Sequence, residues 1–99
     1  MKIKIHSIHF DADQKLVDFV QEKVDKLDHF FDKIIDVEVF LRLDKASNNE
    51  NKIAEIRLNV PGSNLFSKKQ SKSFEESIDS TVEALRRQVK KYKEKLKIA

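Results

Sequence analysis

The sequence contains no cysteine, and it has only one glycine and one proline among its 99 residues. Because cysteine is absent, the chain can form no disulfide, thiolate nucleophile or sulfur-ligated metal site, which suits a reducing compartment. The proline and the glycine stand together as Pro61 and Gly62 and are committed to one turn, so no glycine-rich loop is available to hold nucleotide phosphates. These absences argue against several classes of enzyme and indicate a protein that uses no cofactor.

Long apolar segments are missing as well. No apolar run approaches the roughly 20 residues that a membrane-spanning helix needs, and the N-terminal stretch MKIKIHSIHF alternates apolar and polar residues, unlike a secretory signal. Hydrophobic residues make up 39% of the chain and charged residues 37%, as is typical of a soluble globular protein. We therefore expect a cytoplasmic protein, and the length predicts a single domain over residues 1–99.

Charge is unevenly distributed along the chain. Residues 1–67 contain 10 Lys and Arg against 12 Asp and Glu, a net charge of −2, whereas residues 68–99 contain 10 against 5, a net charge of +5. The stretch RRQVKKYKEKLK, residues 86–97, has seven basic residues in twelve positions and one acid, Glu94. A local field of this kind attracts nucleic acid or another acidic surface.

Alternating apolar and polar residues predict four strands. Between the third and the fourth, Pro61 and Gly62 predict a type II turn, because proline fixes φ at the first central position and glycine accepts positive φ at the second. A bulge or strand end near Ser7 explains why the alternation changes phase in the first strand. The predicted strands comprise residues 2–10, 37–43, 54–60 and, with the weakest alternation, 64–69.

Apolar residues at helical spacing predict two helices. Asp13 is placed to cap the first, which we expect to end around residues 31–33. Ser73 and Glu76 form a capping-box pattern at the start of the second. The apolar stripe of this second helix continues through the basic stretch, so residues 74–98 are predicted to be one helix rather than to end in a disordered tail. The stripe consists of Phe74, Ile78, Val82, Leu85, Val89, Tyr92 and Leu96.

The order β-α-β-β-β-α predicts an α+β fold with a four-stranded mixed sheet. A right-handed crossover through the first helix places strands 1 and 2 parallel, and strands 2, 3 and 4 form an antiparallel meander. Both helices can cover the same face of the sheet, an architecture like that of double-stranded-RNA-binding domains. The second helix would extend ~37 Å at ~1.5 Å per residue, against ~23 Å for a seven-residue strand, so its last turns should project beyond the sheet.

The basic residues of the second helix fall into two rows beside its apolar stripe. Like charges at i, i+4 repel by ~0.2–0.5 kcal/mol per pair, and Glu94 is the single acid available to offset them. Phosphate contacts recover this cost through the release of condensed counterions, so RNA or DNA is the favoured class of partner. One row contains Arg86, Lys90, Lys93 and Lys97, and the other contains Arg87, Lys91 and Lys95.

Three segments resemble the bacterial ribosome hibernation promoting factors: FFDKI at residues 30–34, VEVFLRLDK at residues 37–45, and LRRQVKKYKEKL at residues 85–96. The resemblance covers nearly the whole chain and is to the short form, which lacks a C-terminal dimerisation domain. It implies a factor that binds the small ribosomal subunit, contacts its 16S rRNA in the decoding region beside neighbouring ribosomal proteins, and blocks mRNA and tRNA during dormancy. It also implies a monomer away from the ribosome and no chemical turnover.

Carried over position by position, the resemblance implies RNA-binding residues on both helices. Periodicity does not show which row of the second helix faces RNA, and we rank the family-matched positions first. The segment from Lys68 to Asp79 departs from the family's pattern, so no contacts are carried over to it. The matched basic residues are Arg87, Lys91, Lys93 and Lys95 on the last helix and Lys23, Lys26 and Lys33 around the first, while Arg86, Lys90 and Lys97 are additional charges in this chain.

Metal binding and catalysis are less favoured interpretations. His6 and His9 are expected on opposite faces of a strand, and His29 lies on the first helix away from both, so no three ligands converge. Neighbouring carboxylates at helix starts are explained by capping. Phe40 and Phe66 are expected on the open face of the sheet, where base stacking is conceivable and cross-strand packing is the favoured explanation.

A basic amphipathic helix is also typical of two other binding functions. Such a helix could lie on an anionic membrane, but the sheet needs its apolar stripe as a cover, so no membrane partner is expected. A stand-alone double-stranded RNA-binding module has a similar element order and a basic last helix. Competition between duplex RNA and small ribosomal subunits separates that alternative from a ribosome-specific factor.

Overall fold

Six regular elements form in the predicted order along the part of the chain that the structure describes. The computed structural model describes residues 2–45 and 49–98, with residues 97 and 98 described by their backbone alone. Across these ranges no helix is both long enough and apolar enough to cross a bilayer. The strands are β1 (Lys2–Ile8), β2 (Asp36–Leu43), β3 (Lys52–Val60) and β4 (Ser63–Ser71), and the helices are α1 (Gln14–Phe30) and α2 (Phe74–Ile98).

The strands form one mixed sheet in the order β1-β2-β3-β4. β1 pairs with β2 in parallel, whereas β2 with β3 and β3 with β4 pair in antiparallel. Residues from both helices share one core with a single face of the sheet. The predicted α+β class, the mixed sheet and the two helices on one face are therefore confirmed.

Alternation along the strands builds the core on the helix-covered face. Burying one aliphatic side chain completely contributes about 1.5–3 kcal/mol, so the packing of these stripes fixes how each helix is rotated on the sheet. The fully buried residues include Val37, Val39 and Leu41 of β2, Ala54, Ile56 and Leu58 of β3, Val20 and Val24 of α1, and Ile78, Leu85 and Val89 of α2.

Several element boundaries differ from the prediction, and β3 begins at Lys52, two residues earlier than predicted. β1 ends at Ile8 rather than at residue 10, because His9 adopts a φ of 65° and turns the chain away. The phase change near Ser7 is therefore a strand end and not a bulge. α1 ends at Phe30, and the N–H of Phe31 donates to the Leu27 carbonyl at 2.9 Å. β4 is longer than predicted because β3 pairs with it from Ser63 to Ser71.

The predicted turn and helix starts are present. Gly62 has a φ of 77°, the positive value that the second central position of a type II turn requires. The Asp13 carboxylate accepts a hydrogen bond from the Leu16 N–H at 2.8 Å, and the Ser73 hydroxyl accepts one from the Glu76 N–H at 3.1 Å. Each cap satisfies a backbone donor that has no partner within its helix.

Two hydroxyl groups bind α2 to the backbone of β3. The Ser77 hydroxyl donates to the Lys52 carbonyl at 2.6 Å, and the buried Thr81 hydroxyl lies 3.3 Å from the Ala54 carbonyl and 2.7 Å from the Ser77 carbonyl. The hydrophobic pattern does not reveal these contacts, because small polar residues are also common on exposed helix faces. These hydrogen bonds hold the start of α2 against the beginning of β3, at Lys52 and Ala54.

Both helices run in the same direction. Each begins at the end of the sheet where β1 and β4 finish, and each returns along the core towards the hairpin at Pro61 and Gly62. The Tyr92 hydroxyl, near the end of α2, donates to the Pro61 carbonyl, which fixes this direction. The carboxyl ends of the two helices therefore lie at the same end of the molecule.

Candidate nucleic-acid interface

The basic part of α2 begins where the helix still packs on the sheet and continues past it. Tyr92 packs edge-on against Phe31 with 5.5 Å between ring centroids, and the Gln88 amide donates to the Phe66 carbonyl at 2.7 Å. One turn further on, Leu96 is 46% exposed although it belongs to the apolar stripe. The helix therefore leaves the core after Tyr92, and its last turn projects as predicted.

One basic row of α2 surrounds the ring of Phe30. The Lys93 ammonium lies 4.8 Å from the ring centroid and donates to the Phe30 carbonyl at 3.2 Å. The Arg86 guanidinium lies 5.2 Å from the same centroid. Both cations face the π system, an attraction of about 0.5–1 kcal/mol at exposed sites. These contacts define the Phe30 cleft, a 480 Å³ depression lined by Phe30, Glu83, Arg86, Arg87, Lys90, Lys93 and Glu94.

Cations of α1 and of the segment that follows it extend this cleft on both sides. Lys23 and Lys26 line an adjoining groove that also contains Arg86, and Lys33 lines a depression that contains Lys93. The structure thus brings together predicted RNA-binding residues from both helices. We call this set the inter-helix basic surface: Lys23, Lys26, Lys33, Arg86, Lys90 and Lys93.

The other row lies on a different side of α2. Lys91 and Lys95 line a groove with Leu65 and Tyr92, next to the hairpin that joins β3 to β4. Arg87 belongs to this row by periodicity but lines the edge of the Phe30 cleft. The side chain of Lys97 lies outside the described residues. The predicted set is therefore divided between two surfaces.

The described cations of α2 form no ion pair with an acid of the same chain. Among residues 2–45 and 49–96, no carboxylate oxygen lies within 4.0 Å of a side-chain nitrogen of Arg86, Arg87 or a lysine of α2. Glu83 and Glu94 line the Phe30 cleft without forming such an ion pair. Charges that repel each other and have no partner in the fold reduce its stability. A ligand with dense negative charge would remove this cost.

Lys23 is an exception on α1. Its ammonium lies 3.2 Å from the Asp79 carboxylate of α2, and it also lies 5.4 Å from the ring centroid of Phe19. Asp79 is 54% exposed, so this pair is solvated and contributes little. Periodicity could not have predicted this pair, because it depends on how the two helices meet.

The histidines do not come together. The imidazole of His6 lies 3.0 Å from a Glu38 carboxylate oxygen on the open face of the sheet. His9 is in the turn after β1, and His29 lines the depression beside Lys33 and Lys93. Among the described residues, no cluster of three metal-ligating side chains is found.

The chain is similar to proteins associated with the ribosome. The family model for Sigma 54 modulation protein / S30EA ribosomal protein matches residues 3–97. A relative from Pseudomonas putida, named ribosome hibernation promoting factor, is 32% identical over 95 residues, which are 96% of this chain and 89% of that protein.

Solved structures share the fold. A ribosomal subunit interface protein from Coxiella burnetii superposes with a TM-score of 0.85 at 22% identity, covering 94% of this chain and 98% of that one. The Protein Y N-terminal domain from Thermus thermophilus superposes with a TM-score of 0.81 at 26% identity, covering 93% and 99%. The element order and the sheet are therefore found in other solved proteins.

Proposed function

Because this chain belongs to the Sigma 54 modulation protein / S30EA ribosomal protein family, we propose that it is a ribosome-associated factor that inhibits translation and promotes ribosome hibernation in stress or stationary phase. In this proposal residues 1–99 act as one ribosome-binding unit. The unit binds the small subunit through its 16S rRNA near the decoding region, where its bulk blocks mRNA and tRNA. It catalyses no reaction.

The observation that carries this proposal is the inter-helix basic surface. Two helices from distant parts of the chain contribute cations to one surface, and the α2 cations have no carboxylate partner within the described residues. In a surface that stabilised only the fold, the acids Glu83 and Glu94 would form ion pairs with these cations, because opposite charges on neighbouring turns attract. Ribosomal RNA supplies the missing negative charge as phosphate.

Binding of this kind depends on shape and counterion release. Each phosphate that a lysine or arginine neutralises releases condensed cations, so affinity falls as salt concentration rises. Phosphate contacts position the protein without reading sequence. The core holds both helices at a fixed separation, and the basic side chains therefore approach the RNA backbone as one preformed array.

Sedimentation with purified ribosomal particles tests the proposal. The wild-type protein should co-sediment with small subunits and with 70S ribosomes, and it should inhibit translation of a reporter mRNA in a reconstituted system. The variant Arg86→Ala/Lys90→Ala/Lys93→Ala should lose both activities. Lys15→Ala/Lys45→Ala/Lys72→Ala removes the same charge at exposed positions outside the interface and serves as the matched control.

Two outcomes would contradict the proposal. If both triple variants lose binding equally, net charge and not the inter-helix basic surface is responsible. If free duplex RNA competes as well as small subunits at equal nucleotide concentration, the protein is a general double-stranded RNA-binding module instead.

A further inference from the structure

The face of the sheet opposite the helices carries a connected row of π systems. His6 of β1 stacks on Phe40 of β2, with 4.9 Å between centroids and 16° between ring planes. The Arg57 guanidinium of β3 lies 5.4 Å from the centroid of Phe40 and 5.8 Å from that of Phe66 on β4. The row crosses all four strands and takes no part in the inter-helix basic surface.

Phe66 is the member of this row with the most free ring surface. Phe40 is contacted by both His6 and Arg57, whereas Phe66 is contacted by Arg57 and remains 46% exposed. The favoured sequence-based explanation, cross-strand packing, therefore accounts for Phe40. It does not account for the free surface of Phe66.

Phe66 also lines a cleft in the sheet surface. The cleft has a volume of 570 Å³, within the range of about 300–1,000 Å³ typical of small-molecule sites. Strand register arranges its outward side chains in two adjacent rows. The first row is Asp36, Asn59 and Asn64, and the second is Glu38, Arg57 and Phe66.

We infer that this cleft binds an unpaired guanine base of single-stranded RNA. The ring of Phe66 and the planar guanidinium of Arg57 offer stacking surfaces, and aromatic and arginine planes are common platforms for unstacked bases. Glu38 already accepts from His6 at 3.0 Å, which leaves Asp36 as the freer carboxylate. A carboxylate accepts two hydrogen bonds side by side, which matches the N1–H and N2–H₂ donors of guanine.

The surrounding charges favour a base in the cleft and phosphates around it. Lys2 and Lys4 on β1 are the register partners of Asp36 and Glu38, and Lys68 follows Phe66 by two residues on β4. All three lysines are exposed on the same face. The Asp36 and Glu38 carboxylates on the β2 side of the cleft repel phosphate, and the central Arg57 guanidinium lies 3.5 Å from the Glu55 carboxylate. The lysines outside the cleft attract phosphate, so a nucleotide fits with its base inward.

The inference goes beyond the proposed function and does not depend on it. The cleft and the inter-helix basic surface lie on opposite sides of the sheet, so RNA bound to the helices leaves the cleft accessible. An oligonucleotide that contacts only the cleft should bind weakly, with a Kd of about 1 mM for one stacked base and two or three hydrogen bonds. Two-dimensional NMR of the ¹⁵N-labelled protein detects binding in this range.

The experiment compares four pentanucleotides, UUGUU, UUAUU, UUCUU and UUUUU. UUGUU should shift the side-chain amide signals of Asn59 and Asn64 at the lowest concentration. Phe66→Leu keeps an apolar side chain without a π face and should weaken UUGUU binding about tenfold. Asp36→Asn should remove the roughly tenfold preference for guanine over adenine without weakening binding of UUUUU. Asp25→Asn removes the same charge from an exposed position on α1 and should change nothing.

Controls separate this inference from the proposed function. In the variant Arg86→Ala/Lys90→Ala, the guanine preference at the cleft should persist although ribosome binding falls. Equal binding of the four oligonucleotides would overturn the inference, as would a loss of preference in Asp25→Asn equal to that in Asp36→Asn. Shifts of Asn59 and Asn64 that appear with ribosomal proteins and with none of the oligonucleotides would assign the cleft to a protein partner and overturn it as well.

Discussion

At the scale of single residues, an apolar side chain organises the cations of the candidate interface. The ring of Phe30 lies beneath the charged ends of Arg86 and Lys93. The backbone carbonyl of Phe30 also accepts a hydrogen bond from the Lys93 ammonium. Long basic side chains lose up to about 2 kcal/mol of rotamer entropy each when they become ordered. Because Phe30 restricts two of these side chains before binding, less rotamer entropy is lost when the complex forms.

Replacing Phe30 by leucine tests this role. The leucine keeps an apolar contact, so the free energy of unfolding should fall by less than about 1.5 kcal/mol. Loss of the π face should reduce affinity for small subunits about threefold, because each exposed cation–π contact contributes about 0.5–1 kcal/mol. Thermal unfolding and filter binding measure the two effects. Unchanged affinity would mean that the ring only fills space.

Periodicity predicted the two basic rows of α2 but not their partners. A helical repeat shows that Arg86 and Lys90 share a side, and it contains no information about which side meets α1. Buried residues of the apolar stripe, such as Leu85 and Val89, determine how α2 is rotated on the sheet, and this rotation decides which side of α2 faces α1. We therefore expect Arg86 and Lys90, on the side that faces α1, to contribute more than the family-matched Lys91 and Lys95, which reverses the order given by family match.

Two charge-matched variants compare the rows. Arg86→Ala/Lys90→Ala removes two cations from the side that faces α1, and Lys91→Ala/Lys95→Ala removes two from the other side. We expect the first pair to reduce the slope of log K against log salt by about two units and the second by less than one. Binding to small subunits at several salt concentrations gives both slopes. The reverse order would assign the ribosome to the Lys91 and Lys95 side.

At the scale of secondary structure, the direction of the helices explains where the lysines lie. The negative end of the α1 dipole lies at Phe30 and that of the α2 dipole at Ile98, and cations near helix carboxyl ends are stabilised by about 0.3–1 kcal/mol. Lys93 illustrates this effect directly, since it binds the carbonyl of the last residue of α1. Acidic residues Glu75 and Glu76 lie in the first turn of α2, where the opposite preference applies.

The start of α2 should therefore be sensitive to its cap. Ser73→Ala removes the hydroxyl that accepts from Glu76 and should lower the free energy of unfolding by about 1 kcal/mol, which lowers Tm by roughly 4–8 °C. Ser80→Ala provides the control, because Ser80 is exposed in the helix interior and alanine is the better helix former. Calorimetry should show a loss of stability for the first variant alone. Equal Tm values would mean that the cap contributes nothing.

Regular elements were predictable from sequence where one face is buried and less so at the edge of the sheet. In β2 the alternation of Val37, Val39 and Leu41 with polar residues predicted the strand almost to its ends. In β4 the outer half contains Lys68, Lys69 and Gln70, whose polarity hides the pairing with β3. The backbone of β3 determines that pairing, and local sequence does not report it.

At the scale of the whole molecule, the inter-helix basic surface extends to the end where the helices finish, which carries Lys33, Lys90 and Lys93. The end where α1 and α2 begin carries the acidic first turn of α2 together with the exposed Lys45 and Lys72. The sheet face lies on the far side of the core from the helices. A partner on the helices is therefore expected to cover one side and one end of the protein.

Lysine footprinting measures this orientation. When small subunits bind, Lys26 and Lys90 should be protected at least about threefold from an amine-reactive reagent, since phosphate contact buries the amine. Lys45 and Lys72, exposed near the helix starts, should react at their free rates and act as internal controls. Uniform protection of all four lysines would contradict a single bound orientation.

The shared direction of α1 and α2 also bears on how quickly a complex forms. The full charges of cations near the helix carboxyl ends, such as Lys93, oppose and exceed the partial negative charge of about 0.5 that each helix dipole places there. An approaching polyanion therefore exerts a torque on the protein as well as a pull. The protein rotates into alignment during diffusion, and a larger share of collisions is productive than for a molecule with the same charges scattered over its surface.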